Sequence, residues 1–230
     1  KIDVVVESTG LFTKKQDAVK HITAGAKKVL ISAPSDDSDL TIVRGVSDKS
    51  YDRKKHAVVS NGSCTTNSIV PIAWVLHQNF RIKRGLMTTI HSYTNDQNLQ
   101  DGPHRDLRRA RAAAMNIVPT TTGATKTIGV VIPELKGKID GTAIRVPTIV
   151  GSITDFVCEV EKETTVEEVN AAVRKAAKGQ MKGVIEYVDE PIVSSDIIGN
   201  PHSAIFDSLL TKVVDKKMVK VFIWYDNEWG

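Results

Sequence analysis

The sequence predicts an α/β chain: the later part of a doubly wound parallel sheet, followed by an α+β domain on a mostly antiparallel sheet. Three observations carry that expectation. The first sixty residues string β-branched runs (IDVVVES, KKVLISAP, LTIVRGV) around one helical stretch, the rhythm of parallel strands joined by crossovers. Beyond Cys64 a long apolar helix leads into segments that alternate residue by residue, such as SITDFVCEVEK. Between them lies an arginine-rich stretch, 95–118, without periodicity, and an irregular loop of that length in a compact domain tends to be functional.

Residues 2–8 read as a buried parallel strand. Residues 13–25 (TKKQDAVKHITAG) read as a helix capped by Thr13, with Ala18, Val19 and Ile22 inward and Gly25 as its stop. KKVLISAP and LTIVRGV are strands separated by a Ser/Asp turn, and 54–60 supplies one more. A helix covers 64–80, RGLMTTIHSYT is a strand, and a helix runs over about 123–132. GTAIRVPT and SITDFVCEVEK are strands. Residues 164–179 form an amphipathic helix capped by Thr164 or Thr165, with Val166, Val169, Val173 and Ala177 on one face and Gly179 as its end. Two further strand regions close the chain.

The 230 residues are 41% apolar and 25% charged, and no apolar run is long enough to span a bilayer, so no membrane role is expected. Two cysteines do not make a disulfide framework, and the chain opens with no signal-peptide pattern, which points to a reducing, cytoplasmic compartment. A formal charge of +4 suits an anionic ligand and is too small to argue nucleic acid by itself. The opening at Lys1 and the close at WYDNEWG read as those of an interior piece of a longer protein.

Cys64 lies in VVSNGSCTTNSIVP, at the junction of a strand and a helix. A helix start presents free N–H groups and partial positive charge, which favour a thiolate. A buried, inert cysteine is the plainer alternative, but Asn61, Ser63, Thr65, Thr66 and Asn67 make an unusually polar surrounding for one. Cys158 alternates with Val157 and Val160 and carries no expected chemistry. His91 ends the strand LMTTIHSYT, where a neutral imidazole within reach of Cys64 would serve as general base and then acid. His21, His56 and His77 read as surface or helix residues, and no His/Cys spacing suits zinc. HRDLRRARAAA concentrates Arg105, Arg108, Arg109 and Arg111, guanidinium forks suited to phosphate; an RNA-contacting patch would interleave aromatics, and these are lacking. TTTGATK, 120–126, sets hydroxyls and a glycine at a helix start, another anion site. Arg145 sits in an otherwise apolar strand, a costly place for a charge without an anionic partner.

SNGSCTTN, HSYTNDQ, DLRRARAAAMNIVPTTTGATK, IRVPT and WYDNEWG, in that order and spacing, resemble phosphorylating glyceraldehyde-3-phosphate dehydrogenase over the whole chain. The resemblance implies a partial Rossmann-type nucleotide domain at 1–63, a catalytic domain at 64–227, and the start of a return to the nucleotide domain at 228–230. It further implies NAD as cofactor, glyceraldehyde 3-phosphate and inorganic phosphate as substrates, a homotetramer and a glycolytic role. Carried over by position, Cys64 is the nucleophile and His91 its base. Thr94 and Arg145 hold the substrate's phosphate, while Arg109, Ser63, Thr65, Thr122 and Gly123 hold the attacking phosphate. Thr9, Gly10, Phe12 and Ser32 lie near the NAD adenosine and ribose, Asn227 holds the nicotinamide amide, and Tyr225 packs by the thiol. The long loop reaches a neighbouring subunit's cofactor. Gly102-Pro103 favours NAD over NADP. Gly62 replaces a common Ala and is expected to loosen the backbone before the nucleophile, and Ser68 replaces a second cysteine, so no local Cys–Cys pair forms. The same resemblance keeps erythrose-4-phosphate dehydrogenase as an alternative, less favoured because TTTGATK is intact. A non-catalytic role, binding RNA or protein through the arginine loop, is the alternative of another class.

Overall fold

The computed structural model describes residues 2–230 and contains two sheets. The first has β1 (Ile2–Glu7), β2 (Ala26–Ile31), β3 (Leu40–Thr41) and β4 (Val58–Ser60), all parallel, in the order β1-β2-β4-β3. α1 (Lys15–Thr23) packs Ala18 and Ile22 onto Val29, Ile31 and Val58. This is the α/β order expected of a doubly wound sheet.

Four details differ from the expectation. β1, expected to be buried, lies at the edge of the sheet and exposes Ile2, Val4 and Val6. The α1 cap is not Thr13: the helix starts at Lys15, and the Asp37 carboxylate accepts the Lys15 N–H at 2.8 Å, so a residue from the next loop caps the helix. Val19 faces outward. The strands expected over LTIVRGV and 54–60 shrink to two and three residues. The first is cut short where the Ser47 hydroxyl accepts the Val43 N–H at 2.9 Å and Gly45 turns the chain at φ +82°. The second is delayed by a turn in which Asp52 accepts the Lys54 N–H at 2.8 Å.

The second sheet has seven strands in the order β6-β7-β5-β8-β11-β10-β9. They are β5 (Ile82–Ser92), β6 (Val118–Thr121), β7 (Ile139–Val146), β8 (Ser152–Val160), β9 (Ile185–Val188), β10 (Ala204–Val214) and β11 (Met218–Tyr225). β5·β7 and β9·β10 are parallel and the other neighbours antiparallel, so the sheet is mostly antiparallel as expected. One face is covered by α2 (Cys64–Phe80), α3 (Ala124–Val131) and α4 (Val166–Lys178). α2 buries Ile69, Val70, Ile72, Ala73, Val75 and Leu76, which leaves it apolar nearly all round, as a core helix must be. α4 packs through Val169 and Val173, and Thr165 caps it in a box with Glu168. His77, read as a surface or helix residue, is buried in α2, where burial holds its imidazole below the ordinary value. The other face of the sheet exposes Leu86 and Met218 beside Val157.

The parallel pairing of β5 with β7 sets His91 directly beside Arg145. It depends on Gly141, opposite Met87: a Cβ there would lie 2.3 Å from the Met87 carbonyl oxygen. Gly141→Ala is therefore expected to destabilise the chain by about 3 kcal/mol, read as a lower urea midpoint at unchanged slope; an unchanged midpoint would show that the strand pair yields freely.

Candidate active site

β4 delivers the chain to the site. The Ser60 hydroxyl bonds the Ala33 carbonyl at 2.7 Å and accepts the Gly62 N–H at 3.0 Å. Gly62 then turns at φ +70°, with a built Cβ 3.0 Å from the Thr66 methyl. Glycine thus fits a left-handed turn here, at a position where alanine costs about 1–2 kcal/mol. Ser63 is the N-cap of α2, its hydroxyl accepting the Thr66 N–H at 3.0 Å, and Asn67 Nδ2 ties the Asn61 and Ser63 carbonyls at 2.6 and 2.9 Å. Cys64 is the first helical residue, and its own N–H and that of Thr65 act on its sulfur.

Cys64 Sγ lies 3.3 Å from His91 Nε2. His91 Nδ1 lies 2.7 Å from the Ser92 carbonyl, which only accepts, so Nδ1 carries the proton and Nε2 faces the thiol as a bare acceptor. Burial, reinforced by the Arg145 charge, pulls His91 down to about 4. Burial pushes the Cys64 thiol up, against the Thr65 N–H and hydroxyl and the Arg145 charge. Of the two influences on the sulfur, burial outweighs the helix start, so the thiol is raised above its ordinary value and not lowered as the helix start alone suggests. Tyr225 backs the pair. Its ring lies edge-on to His91 at 5.9 Å, and its hydroxyl meets Thr65 and Thr89 at 2.9 and 2.7 Å.

Arg145 Nη1 donates to the Ser92 carbonyl at 3.1 Å and to Thr94 Oγ1 at 2.9 Å, while its Nε is buried without a partner. Among the described residues no carboxylate reaches ion-pair distance of it; burial and the neighbouring Arg109 charge both disfavour its cation. Arg109 is differently placed. It pairs with Asp96 and bonds Thr120 Oγ1 at 2.9 Å and the Thr121 carbonyl at 3.2 Å, with Asp106 at 3.6 Å. Arg111 pairs with Asp101 at 3.0 Å. Two of the loop's four arginines are thus matched by carboxylates, which weakens the reading of this loop as a polyanion-binding patch.

Thr122 and Gly123 lead into α3, where Thr122 Oγ1 accepts the Ala124 N–H at 3.2 Å. The Arg109 bonds to Thr120 and Thr121 bring this segment to the guanidinium; among the described residues no hydrogen bond joins it, or Ser63, to Cys64. Thr9, Gly10, Phe12 and Ser32 cluster at the ends of β1 and β2. Glu7, buried, accepts the Thr9 N–H at 2.8 Å, the Thr9 hydroxyl and His21 at 2.7 Å, while Phe12 packs against His21. Ser32 bonds the Glu7 carbonyl through N–H and hydroxyl at 2.9 and 3.2 Å. Asn227, after β11, directs its Oδ1 at the Ser92 hydroxyl at 2.8 Å. Ser92 and Ser152 escape a reading of the sequence because their partner Asn227 lies far along the chain, and Glu7 and Asp96 because only the fold brings His21 and Arg109 to them; only the neighbourhood of Ser92 to His91 hints at its part.

The sequence profile described as "Glyceraldehyde 3-phosphate dehydrogenase, C-terminal domain" matches residues 63–227. The chain belongs to the glyceraldehyde 3-phosphate dehydrogenase family. It is 61% identical over 229 residues to "Glyceraldehyde-3-phosphate dehydrogenase 2" of Streptomyces avermitilis, which spans all of this chain and 68% of that relative. It is 62% identical to "Glyceraldehyde-3-phosphate dehydrogenase" of Mycobacterium avium and 61% to that of Mycolicibacterium smegmatis, each match covering 100% of this chain and 67% of the relative. Among the described residues the Cys64–His91 pair is the one thiol–imidazole hydrogen bond.

With His91 near 4 in the folded chain against 6.5 for a free imidazole, the unfolded chain binds more protons across that interval. The stability tied to this group is complete above about pH 6.5 and drains away as pH falls towards 4, by about 3 kcal/mol. His91→Gln is expected to remove that portion of the slope in urea unfolding measured from pH 7 to 4; curves that stay parallel to wild type would place the pH dependence elsewhere.

Proposed function

We propose that this protein oxidises glyceraldehyde 3-phosphate with NAD and inorganic phosphate to 1,3-bisphosphoglycerate, through a thioester on Cys64. The single observation that carries the reading is the aligned contact of Cys64 Sγ with an imidazole nitrogen that the Ser92 carbonyl keeps free to accept a proton.

The thiol proton passes to His91 Nε2 as the sulfur adds to the aldehyde carbon. The proton then goes to the carbonyl oxygen, giving a hemithioacetal and restoring neutral imidazole. NAD, when bound, supplies the hydride acceptor. His91 takes the hemithioacetal's hydroxyl proton, and a thioester remains on Cys64. A phosphate oxygen then attacks that carbonyl carbon, the C–S bond breaks, and the sulfur regains a proton as the acyl phosphate leaves. Sulfur suits this sequence because a thioester keeps much of the oxidation energy available to the incoming phosphate.

Arg145 and Thr94 hold the substrate's own phosphate; the orphaned Nε of a half-buried guanidinium without a carboxylate partner supports this. Arg109, with Ser63, Thr65, Thr122 and Gly123, holds the attacking phosphate, which has to compete with Asp96 for the guanidinium. Repulsion between the two arginines is relieved when anions bind. For NAD, Asn227 Nδ2 is buried and without a partner, as a residue awaiting a ligand carbonyl should be, and Thr9, Gly10, Phe12 and Ser32 form the adenosine end. The chain divides into a nucleotide-binding part, 1–63, a catalytic part, 64–227, and 228–230 leading back. A homotetramer accords with the bare sheet face carrying Leu86, Val157 and Met218. Among the described residues no helix is long and apolar enough to cross a membrane.

Steady-state rates with the two aldehydes test the reading: glyceraldehyde 3-phosphate should give the higher kcat/KM, and preference for erythrose 4-phosphate would overturn it. Cys64→Ser should abolish the acyl-enzyme burst and lower kcat by at least about a thousandfold. Arg145→Ala should mainly raise the aldehyde KM, by about tenfold or more; an effect confined to phosphate would exchange the two anion sites.

A further inference from the structure

Asn227 has its amide fixed by three donors. Its Oδ1 accepts the Ser92 hydroxyl at 2.8 Å, the Ser152 hydroxyl at 3.0 Å and the Gly151 N–H at 3.0 Å. A backbone N–H only donates, so the atom facing Gly151 is the oxygen, and the amide has one orientation. Nδ2 is thereby turned away from all three, and it is buried with no partner of its own. A buried amide NH₂ without an acceptor is costly, and a ligand carbonyl placed there removes the cost.

The two hydroxyls arrive from different strands. Ser92 is the last residue of β5 and Ser152 the first of β8, and both are buried. They are joined to each other, since Ser152 Oγ also accepts the Ser92 N–H at 3.2 Å. Ser92 has a second task. Its carbonyl takes both the His91 Nδ1–H and Arg145 Nη1. The backbone of one residue therefore orients the base and the substrate-facing arginine, while its side chain orients the amide on the cofactor side.

We infer that Ser92 and Ser152 are positioning residues that set the Asn227 amide so that its NH₂ meets the carboxamide oxygen of the nicotinamide ring. This rests on the NAD reading above. It goes further in saying which groups decide whether that ring is held, as distinct from the rest of the dinucleotide.

Two ligands separate these. NAD+ and ADP-ribose share the adenosine and diphosphate, but ADP-ribose has no nicotinamide. Calorimetric titration of the protein with each is expected to show Ser92→Ala and Ser152→Ala weakening NAD+ about three- to tenfold apiece. ADP-ribose affinity should stay within about twofold of wild type, as expected of a role confined to the ring. In steady state the NAD+ KM should rise by a larger factor than kcat falls. Unchanged NAD+ affinity in both variants overturns the inference, and so does an equal loss for both ligands, which would mark a general structural defect. A wild-type protein that binds neither dinucleotide would overturn the NAD reading itself and this inference with it.

Discussion

The hydrogen bond from His91 Nδ1 to the Ser92 carbonyl is the constraint on which the site depends. A neutral imidazole has one N–H, and a carbonyl can only receive it. Once Nδ1 is committed, Nε2 is left as a lone pair at 3.3 Å from the sulfur. The same carbonyl receives Arg145, so base and arginine cannot turn independently. Parallel pairing of β5 with β7 sets them side by side and makes this sharing possible.

Charge in the site is arranged as a debt left open. Arg145 is held by a carbonyl and a hydroxyl but by no carboxylate, whereas Arg109 leans on Asp96 and Asp106. Burial first, and the charge of a neighbouring arginine second, hold His91 neutral and disfavour the Arg145 cation. In the proposed reaction a substrate phosphate supplies the missing negative charge. Its arrival on Arg145 would offset the second of the two effects that hold His91 down, while burial, the larger, would remain. The thiol follows a related logic: desolvation of the half-buried sulfur raises it above its ordinary value.

Much of this was legible in the sequence. The helix over 64–80, the alternation in SITDFVCEVEK and the Thr165 cap are local signals, set by 3.6- and 2-residue periods and by side chains that bond their own backbone. Cys64 at a helix start and His91 at a strand end were readable for the same reason. Where the expectation slipped, the deciding partner lay elsewhere: Asp37 displaces Thr13 as the cap of α1, and Ser47 ends the strand expected beyond Thr41. The helix start alone argues for a lowered thiol; burial, which depends on everything packed over the sulfur, raises it.

By itself, then, the sequence determined the elements, the reactive residue types and the family to which their spacing belongs. Tertiary structure decided what those residues are. It brought Ser92 to Asn227 across 135 positions, chose the His91 tautomer, left one arginine without a counter-charge and matched the other. The physical reason is that proton affinity and amide orientation are set by neighbours in space and by exclusion of water, and neither is written in any local run of residues.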